Sequence, residues 1–417
     1  MKNSVVAESP TTWRSVGEHP CLAVLLWAAL PVETAAAANL VLRVGNVDAA
    51  GGGVLGVGGA FAAMSLAFAL AVIPAGVLVD RTPARATFAV ALAVRALPML
   101  IGGMLALGGA LTTTMVVALA AADGLAMALL RPSWQHFQAS LVPAEAARDA
   151  AVLDDWIARA GALAGALAGG VMVAVGLTGV GQIGCAAGFL PLLVAVVLGL
   201  GAGIRSRGRH CDALSTVRDA WSALRHIPRL RTATRADVVL QLAVPVGVLA
   251  PAVTVAVSGV DYLWLIALAA AIGALTGMSF LTWVWHRVCH ARLLRYSAAL
   301  LVGVLAVQAV ALIGGAPSLT AGWLGAACVT VAVAEAATTT MLGVTGAIVQ
   351  ADAPATVRGA VTGLAQAPRH LATFASASAV GVAMAWAGPA LTLAMVAAAL
   401  LAAVRLLGGF AGLQRSG

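Results

Sequence analysis

From Pro20 onward the chain is a succession of apolar runs, each some twenty residues long, separated by short charged or glycine-rich breaks. A run of that length is what a helix needs to cross a hydrocarbon layer of ~30 Å at about 1.5 Å per residue. The runs are continuously apolar and do not alternate every second residue, which selects helices over the strands of a barrel. Composition points the same way. Of 417 residues, 61% are hydrophobic and 10% charged, against roughly 25% charged in a soluble domain. An all-α polytopic membrane protein is expected.

Twelve spans are predicted, near residues 20–42, 52–78, 86–108, 112–131, 151–176, 180–203, 236–257, 261–284, 294–314, 320–343, 360–385 and 388–408. The third and fourth, fifth and sixth, ninth and tenth, and eleventh and twelfth are joined by very short uncharged connections. Of the 24 Lys and Arg, all but Arg43 lie at a terminus or toward the side of the even-numbered breaks. By the positive-inside rule that side is cytoplasmic, so both termini are expected inside, in an inner-membrane protein. The net charge of +8 thus reports topology, and no nucleic-acid partner is implied. No short apolar stretch with a small-residue cleavage site follows residues 1–19, so no cleaved leader is expected. Cys21, Cys185, Cys211, Cys289 and Cys328 are scattered without metal or redox spacing and read as packing residues.

The longest break, Ile204 to Asp237, carries eight arginines and divides the spans into two sets of six. The domain reading is a segment 1–19, a bundle 20–203, a basic linker 204–235, a second bundle 236–408 and a tail 409–417. Within the linker, Leu214, Val217, Trp221 and Leu224 share one helical face, as in a helix lying on a membrane surface.

The two sets of spans echo each other. Arg148 and Arg159 match Arg358 and Arg369 at an offset of 210, each pair following a proline. Asp80-Arg81 after the second span answers to His286-Arg287 after the eighth. Duplicated six-helix halves are an architecture of secondary transporters, with the site near the midplane between them.

The turn "GVLVDRTPAR" after the second span carries Gly76, Leu78, Asp80, Arg81 and Arg85. With twelve spans in two halves, this resembles the major facilitator superfamily, whose loop motif reads Gly-x-Leu-x-Asp-Arg-x-Gly-Arg followed by Lys or Arg. Pro83 and Ala84 depart from that pattern. The resemblance implies an inner gate in which Asp80 faces the start of the eleventh span, where the helix dipole favours an anion, with Arg358 close by. On the fifth span, "GALAGALAGG" places Gly161, Gly165, Gly169 and Gly170 on the glycine positions of a motif found in the drug/proton antiporters, with Ala166 in place of its proline. Residues 131–150 and 350–364 are similar to loops of the macrolide and siderophore exporter-like branch. Glycines four apart also make a smooth face for close helix packing.

The acids far from any loop are Glu33 in the first span, Asp123 in the fourth and Glu335 in the tenth, the last followed by Thr338, Thr339 and Thr340. A charge at the bilayer centre costs roughly 2.5–3.5 kcal/mol even on the mildest scale, so such groups face a cavity or a partner. In the major facilitator fold the first, fourth, seventh and tenth helices line the cavity, and the seventh here carries Gln241. Asp123 and Glu335 are 212 apart, Glu33 and Gln241 208 apart, so each pair is near-equivalent across the two halves. Glu33, Asp123, Glu335, Gln241 and Thr339 are the candidates for proton coupling or substrate contact, a structural pairing of an acid with Arg95 or Arg159 being the alternative. Gln182 and Gln308 read as interface residues, Trp264 and Trp283 as anchors near span ends, and Trp27 as packing.

No Walker A loop is present, and the glycine runs lie in spans and not after strands, so neither ATP nor a dinucleotide is expected. An enzyme is not indicated, and no cofactor or metal. The expected protein is a monomeric transporter in a lipid bilayer, exporting a lipophilic or amphipathic small molecule against protons, with sodium as the alternative coupling ion. Uptake or lipid translocation on the same fold, or a non-transporting sensor, are the rival readings.

Overall fold

The computed structural model of the chain describes residues 20–141, 147–199, 213–243, 252–253, 256–257, 259, 262–284, 290–313, 321–354 and 358–406. Segments 1–19 and 409–417, Pro245, Pro251, Cys211, Trp285, His286, Arg287 and Cys289 fall outside these residues, as do the side chains of Cys21, Asp80, Arg148, Asp155, Leu214, His290, Trp323 and Arg358. The described residues form helices joined by short turns, with no strand among them.

The first span runs Pro20–Ala49, the second Gly53–Arg81, the third Ala84–Leu107, the fourth Thr113–Leu141 and the fifth Ala147–Ala174. The sixth is two helices, Thr178–Gly188 and Leu190–Val197, interrupted at Phe189. A helix Ala213–His226 is followed by Pro228–Ala243, which holds the described start of the seventh span. The eighth, ninth and tenth are Leu263–Val284, His290–Ile313 and Ala321–Asp352. Arg358–Leu406 holds the eleventh and twelfth, divided at Gly388, whose φ of 77° is left-handed and ends a helix where a side chain would be strained. At Gly109 the same device joins the third and fourth spans: its N–H bonds Ala106 O, and Ala110 N–H reaches back to Leu105 O.

Many large apolar side chains point outward. Leu70 is 67% exposed, Met104 63% and Val310 68%. In water this surface would aggregate the protein; on membrane spans it is the face that hydrocarbon covers. Ten stretches of the described chain are long and apolar enough to cross a membrane, and the last of them, Ala360–Ala402, contains both the eleventh and twelfth spans.

Each half packs by bringing small residues against a neighbour's backbone. In the first half, a Cβ on Gly124 of the fourth span would collide with Met64 O of the second. In the second half, Gly277 of the eighth span meets Ala336 O of the tenth. Ala336 is 212 residues after Gly124, and Gly277 is 213 after Met64. The close approach is thus duplicated, but the glycine has moved to the other partner. The halves meet along two symmetry-related seams, the second span against the eleventh and the fifth against the eighth. In the first seam a Cβ on Gly58 would lie 2.8 Å from Gly381 Cα, and further along the Phe68 and His370 rings meet tilted by 35°, 3.9 Å between centres. In the second, Gly170 abuts Trp264.

The linker helix does not lie free on a surface. Ala220 and Leu224 are buried against the second half, whereas Trp221 is 60% exposed, so the face expected to run through Trp221 is turned to run through Ala220. The arginine-rich ends are tied by Arg229 to Asp352 at 3.4 Å and Arg369 to Asp237 at 3.8 Å, joining the seventh span to the tenth and eleventh.

Candidate functional site

Arg43 decides how the first half is read. The sequence places it beyond the end of the first span, but the helix continues to Ala49 and carries Arg43 into the bundle, 5% exposed. There its Nη2 donates to Asp123 Oδ2 at 2.5 Å and its Nη1 to Met64 Sδ at 3.1 Å. Arg95, from the third span, donates Nε to Asp123 Oδ1 at 3.3 Å and lies over the Phe189 ring at 5.8 Å. Asp123 is 4% exposed. Each carboxylate oxygen is held by its own guanidinium, which is the arrangement a buried charge needs to persist as a charge. Asp123 therefore stands as the centre of an Arg43–Asp123–Arg95 triad inside the first bundle.

Glu33 and Glu335 are placed differently. Both are partly exposed. Glu33 lies where the first span crosses the fifth, with a Cβ on Gly161 reaching to 2.5 Å from Glu33 Cβ. Glu335, on the tenth span, lies in the electrostatic field of Arg159, two residues before Gly161. Arg159 and Gly161, two residues apart, leave the fifth span on nearly opposite sides, so the two carboxylates are associated with different faces of it.

Gln241, the positional counterpart of Glu33, is tied to the eleventh span. Thr373 Oγ1 donates to Gln241 Oε1 at 3.2 Å, and Ser376 Oγ to its carbonyl at 3.0 Å. Thr373 is the counterpart of Gly161 at an offset of 212, so the crossing that is bare in the first half is hydrogen-bonded in the second. Thr339 is buried, and its neighbour Thr340 donates to Gly277 O at 3.2 Å and Ala336 O at 2.8 Å. Gln308 bonds Thr330 between the ninth and tenth spans.

The fifth-span glycines form a packing face against the first span. A Cβ on Gly165 would strike Thr34 O, and one on Gly169 would lie 2.8 Å from Ala38 O. Gly170 instead faces Trp264 of the eighth, so this tryptophan is a seam residue. Trp27, expected in the core, is 59% exposed.

At the loop motif, an added Cβ on Gly76 meets no atom within 4 Å, and Arg81 is exposed. Arg85 donates Nε to Val196 O at 2.8 Å and Nη2 to Val197 O at 2.7 Å. It thereby caps the last carbonyls of the sixth span, within its own half. The brace between Asp80 and Arg358 falls on side chains outside the described set.

No protein-family model matches the sequence, and no curated protein does. Solved structures do. A POT family transporter in complex with 5-aminolevulinic acid has a TM-score of 0.74 at 12% identity, covering 94% of this chain and 96% of that one. A D-xylose-proton symporter has a TM-score of 0.71 at 15% identity, covering 93% and 97%. The nucleoside transporter NupG has a TM-score of 0.66 at 10% identity, covering 95% and 100%. The chain has the major facilitator fold. Its likeness to these transporters is one of fold, spread over nearly the whole of each chain.

Within that fold, Glu335 of the second half lies in the field of Arg159 of the first, Glu33 lies at the crossing of the first and fifth spans, and Asp123 is locked into one half. Arg43 is the residue the sequence reading missed. The signal was present: the run Val44-Gly45-Asn46-Val47 after it stays uncharged until Asp48, so the helix could continue past a single charge that has a buried partner.

Proposed function

We propose that the chain is a secondary active transporter in which Glu33 and Glu335 couple proton movement to the passage of a lipophilic or amphipathic small molecule. The observation that carries this is that the fifth span lies next to a partly exposed carboxylate of each half, Glu33 packed at Gly161 and Glu335 in the field of Arg159. A carboxylate exposed to a cavity can gain and lose a proton, and each state has a different attraction to the arginine beside it. Protonation of Glu335 weakens its hold on Arg159 across the junction, so the halves rock more readily. One charge moving through ~100 mV supplies about 2.3 kcal/mol for accumulation.

Export is the direction we assign, supported by the resemblance of Gly161, Gly165, Gly169 and Gly170 to the antiporter motif. Symport is the second reading, favoured by the likeness in fold to a D-xylose-proton symporter. Liposomes holding the purified protein and a pH-sensitive dye separate the two. Under antiport, substrate added outside draws protons out and the lumen turns alkaline; under symport it turns acid. Glu335→Gln is expected to abolish the proton signal while leaving substrate binding intact. Unchanged proton flux in that variant would remove Glu335 from the coupling path.

A further inference from the structure

The first bundle encloses a polar cavity that the transport reading does not use. It lies among the first, third, fourth and sixth spans, toward the end away from the arginine-rich side, and is lined by Asn39, Arg43, Asn46, Gly102 and Gln182 with an apolar rim. We propose that this cavity is a binding site for a small monovalent anion of the halide class.

Three observations carry the assignment. The first is charge. Arg43 and Arg95 share one carboxylate, Asp123, and among the described residues no other acid bonds to either. Asp48, near the end of the same span, is partly exposed and bonds to neither. The triad therefore holds one uncompensated positive charge in a nearly dry interior, a state that proteins relieve with a counter-charge. The second is orphaned hydrogen-bonding capacity. Asn46 is 2% exposed and its Nδ2 has no partner; Gln182 is 6% exposed and its Oε1 has none. Gln182 Nε2 donates to Asn39 Oδ1 at 3.4 Å. Turning both amides over keeps that bond and presents an N–H where the orphaned oxygen stands. Arg43, Asn46 and Gln182 would then surround one space with positive charge and donors, the surroundings an anion needs and a cation does not tolerate. The third is size. The space between these side chains admits about one water-sized particle, which suits a compact monatomic anion.

The reading is independent of the direction or substrate of transport, and its test needs neither. The full-length protein in detergent is melted in sodium chloride or bromide and in sodium gluconate at equal ionic strength. A ligand of the folded state raises Tm in proportion to the logarithm of its concentration above Kd. Halide is expected to raise it by about 2–4 °C, as expected for a site worth roughly one tenfold step in concentration. Asn46→Asp builds the missing negative charge into the cavity and should abolish the halide dependence, with a Tm in gluconate at or above that of the wild type in halide. Crystals of the wild type grown in bromide should show anomalous scattering beside Arg43, a readout that does not depend on any variant folding. Identical melting curves in halide and gluconate, or bromide crystals without that peak, would mean the cavity holds only a bridging water and would overturn the proposal.

Discussion

Asp123→Asn separates a coupling carboxylate from a structural one. The ion pairs it would break are 2.5 Å and 3.3 Å long, and at an effective dielectric constant of about 20 such separations give attractions of roughly 7 and 5 kcal/mol. Most of that is offset in the wild type by the several kcal/mol it costs to strip water from each ion. Removing the carboxylate removes the attraction and leaves the cost of burying Arg43 and Arg95. Breaking a buried pair from one side typically destabilises by about 3–5 kcal/mol, roughly a hundredfold to several thousandfold in the folded fraction at 1.4 kcal/mol per decade. Denaturant titration of the detergent-solubilised protein, followed by tryptophan fluorescence, reads this directly. The variant is expected to unfold at much lower denaturant, and adding Arg43→Met to Asp123→Asn is expected to recover part of the loss, because one orphaned charge leaves with its partner. An Asp123→Asn protein as stable as the wild type but dead in uphill transport would refute the triad as a structural centre and return Asp123 to the coupling path.

Gly165→Val is expected to cost about 1–3 kcal/mol by forcing the fifth span off the first, lowering the yield of folded protein; normal yield and melting would show the contact to be soft. Gly58→Val puts a side chain within 2.8 Å of Gly381 Cα and should force the second and eleventh spans apart, lowering transport and melting temperature together; full transport and normal melting by that variant would show this end of the seam to be soft. Arg85→Ala removes two bonds to the end of the sixth span and should lower stability by about 1–3 kcal/mol, measured by the same titration, while leaving the proton signal of the reconstituted protein unchanged.

The membrane spans were legible because hydrocarbon imposes a length and a polarity on every helix that crosses it. The fifth-span packing was legible for a similar reason: glycines spaced by four state their own contact. What was hidden depends on partners distant in sequence. A pairing with Arg95 was the alternative the sequence offered for a buried acid, but Arg43 lies 80 residues from Asp123, and no local period reports that meeting. A lone arginine at the end of an apolar run looks the same whether it enters water or a buried pair, and Arg43 took the second course. Trp221 was misplaced for a smaller reason. A helical face built from the largest apolar residues runs through it, but the linker helix packs through Ala220, where the neighbouring spans come close. Glu33 and Glu335 were found as acids far from any loop, and Gln241 as the counterpart of Glu33 in the second half, which did not show that Gln241 is bonded to the eleventh span while Glu33 stays partly exposed.

The exchange of glycine between partners in the two halves has a bearing on how such a chain can be rebuilt. Gly124 sits under Met64, whereas in the second half Gly277 sits under Ala336. What descended through the duplication is a distance between two backbones, and either helix was free to supply the gap. Grafting the tenth span in place of the fourth would therefore bring Ala336 to a site that admits no methyl group, although the two helices look interchangeable in outline. Moving the eighth and tenth together keeps gap and filler matched. The heritable module is the helix pair, and recombination libraries cut between its members should lose folded protein that libraries cut around it retain.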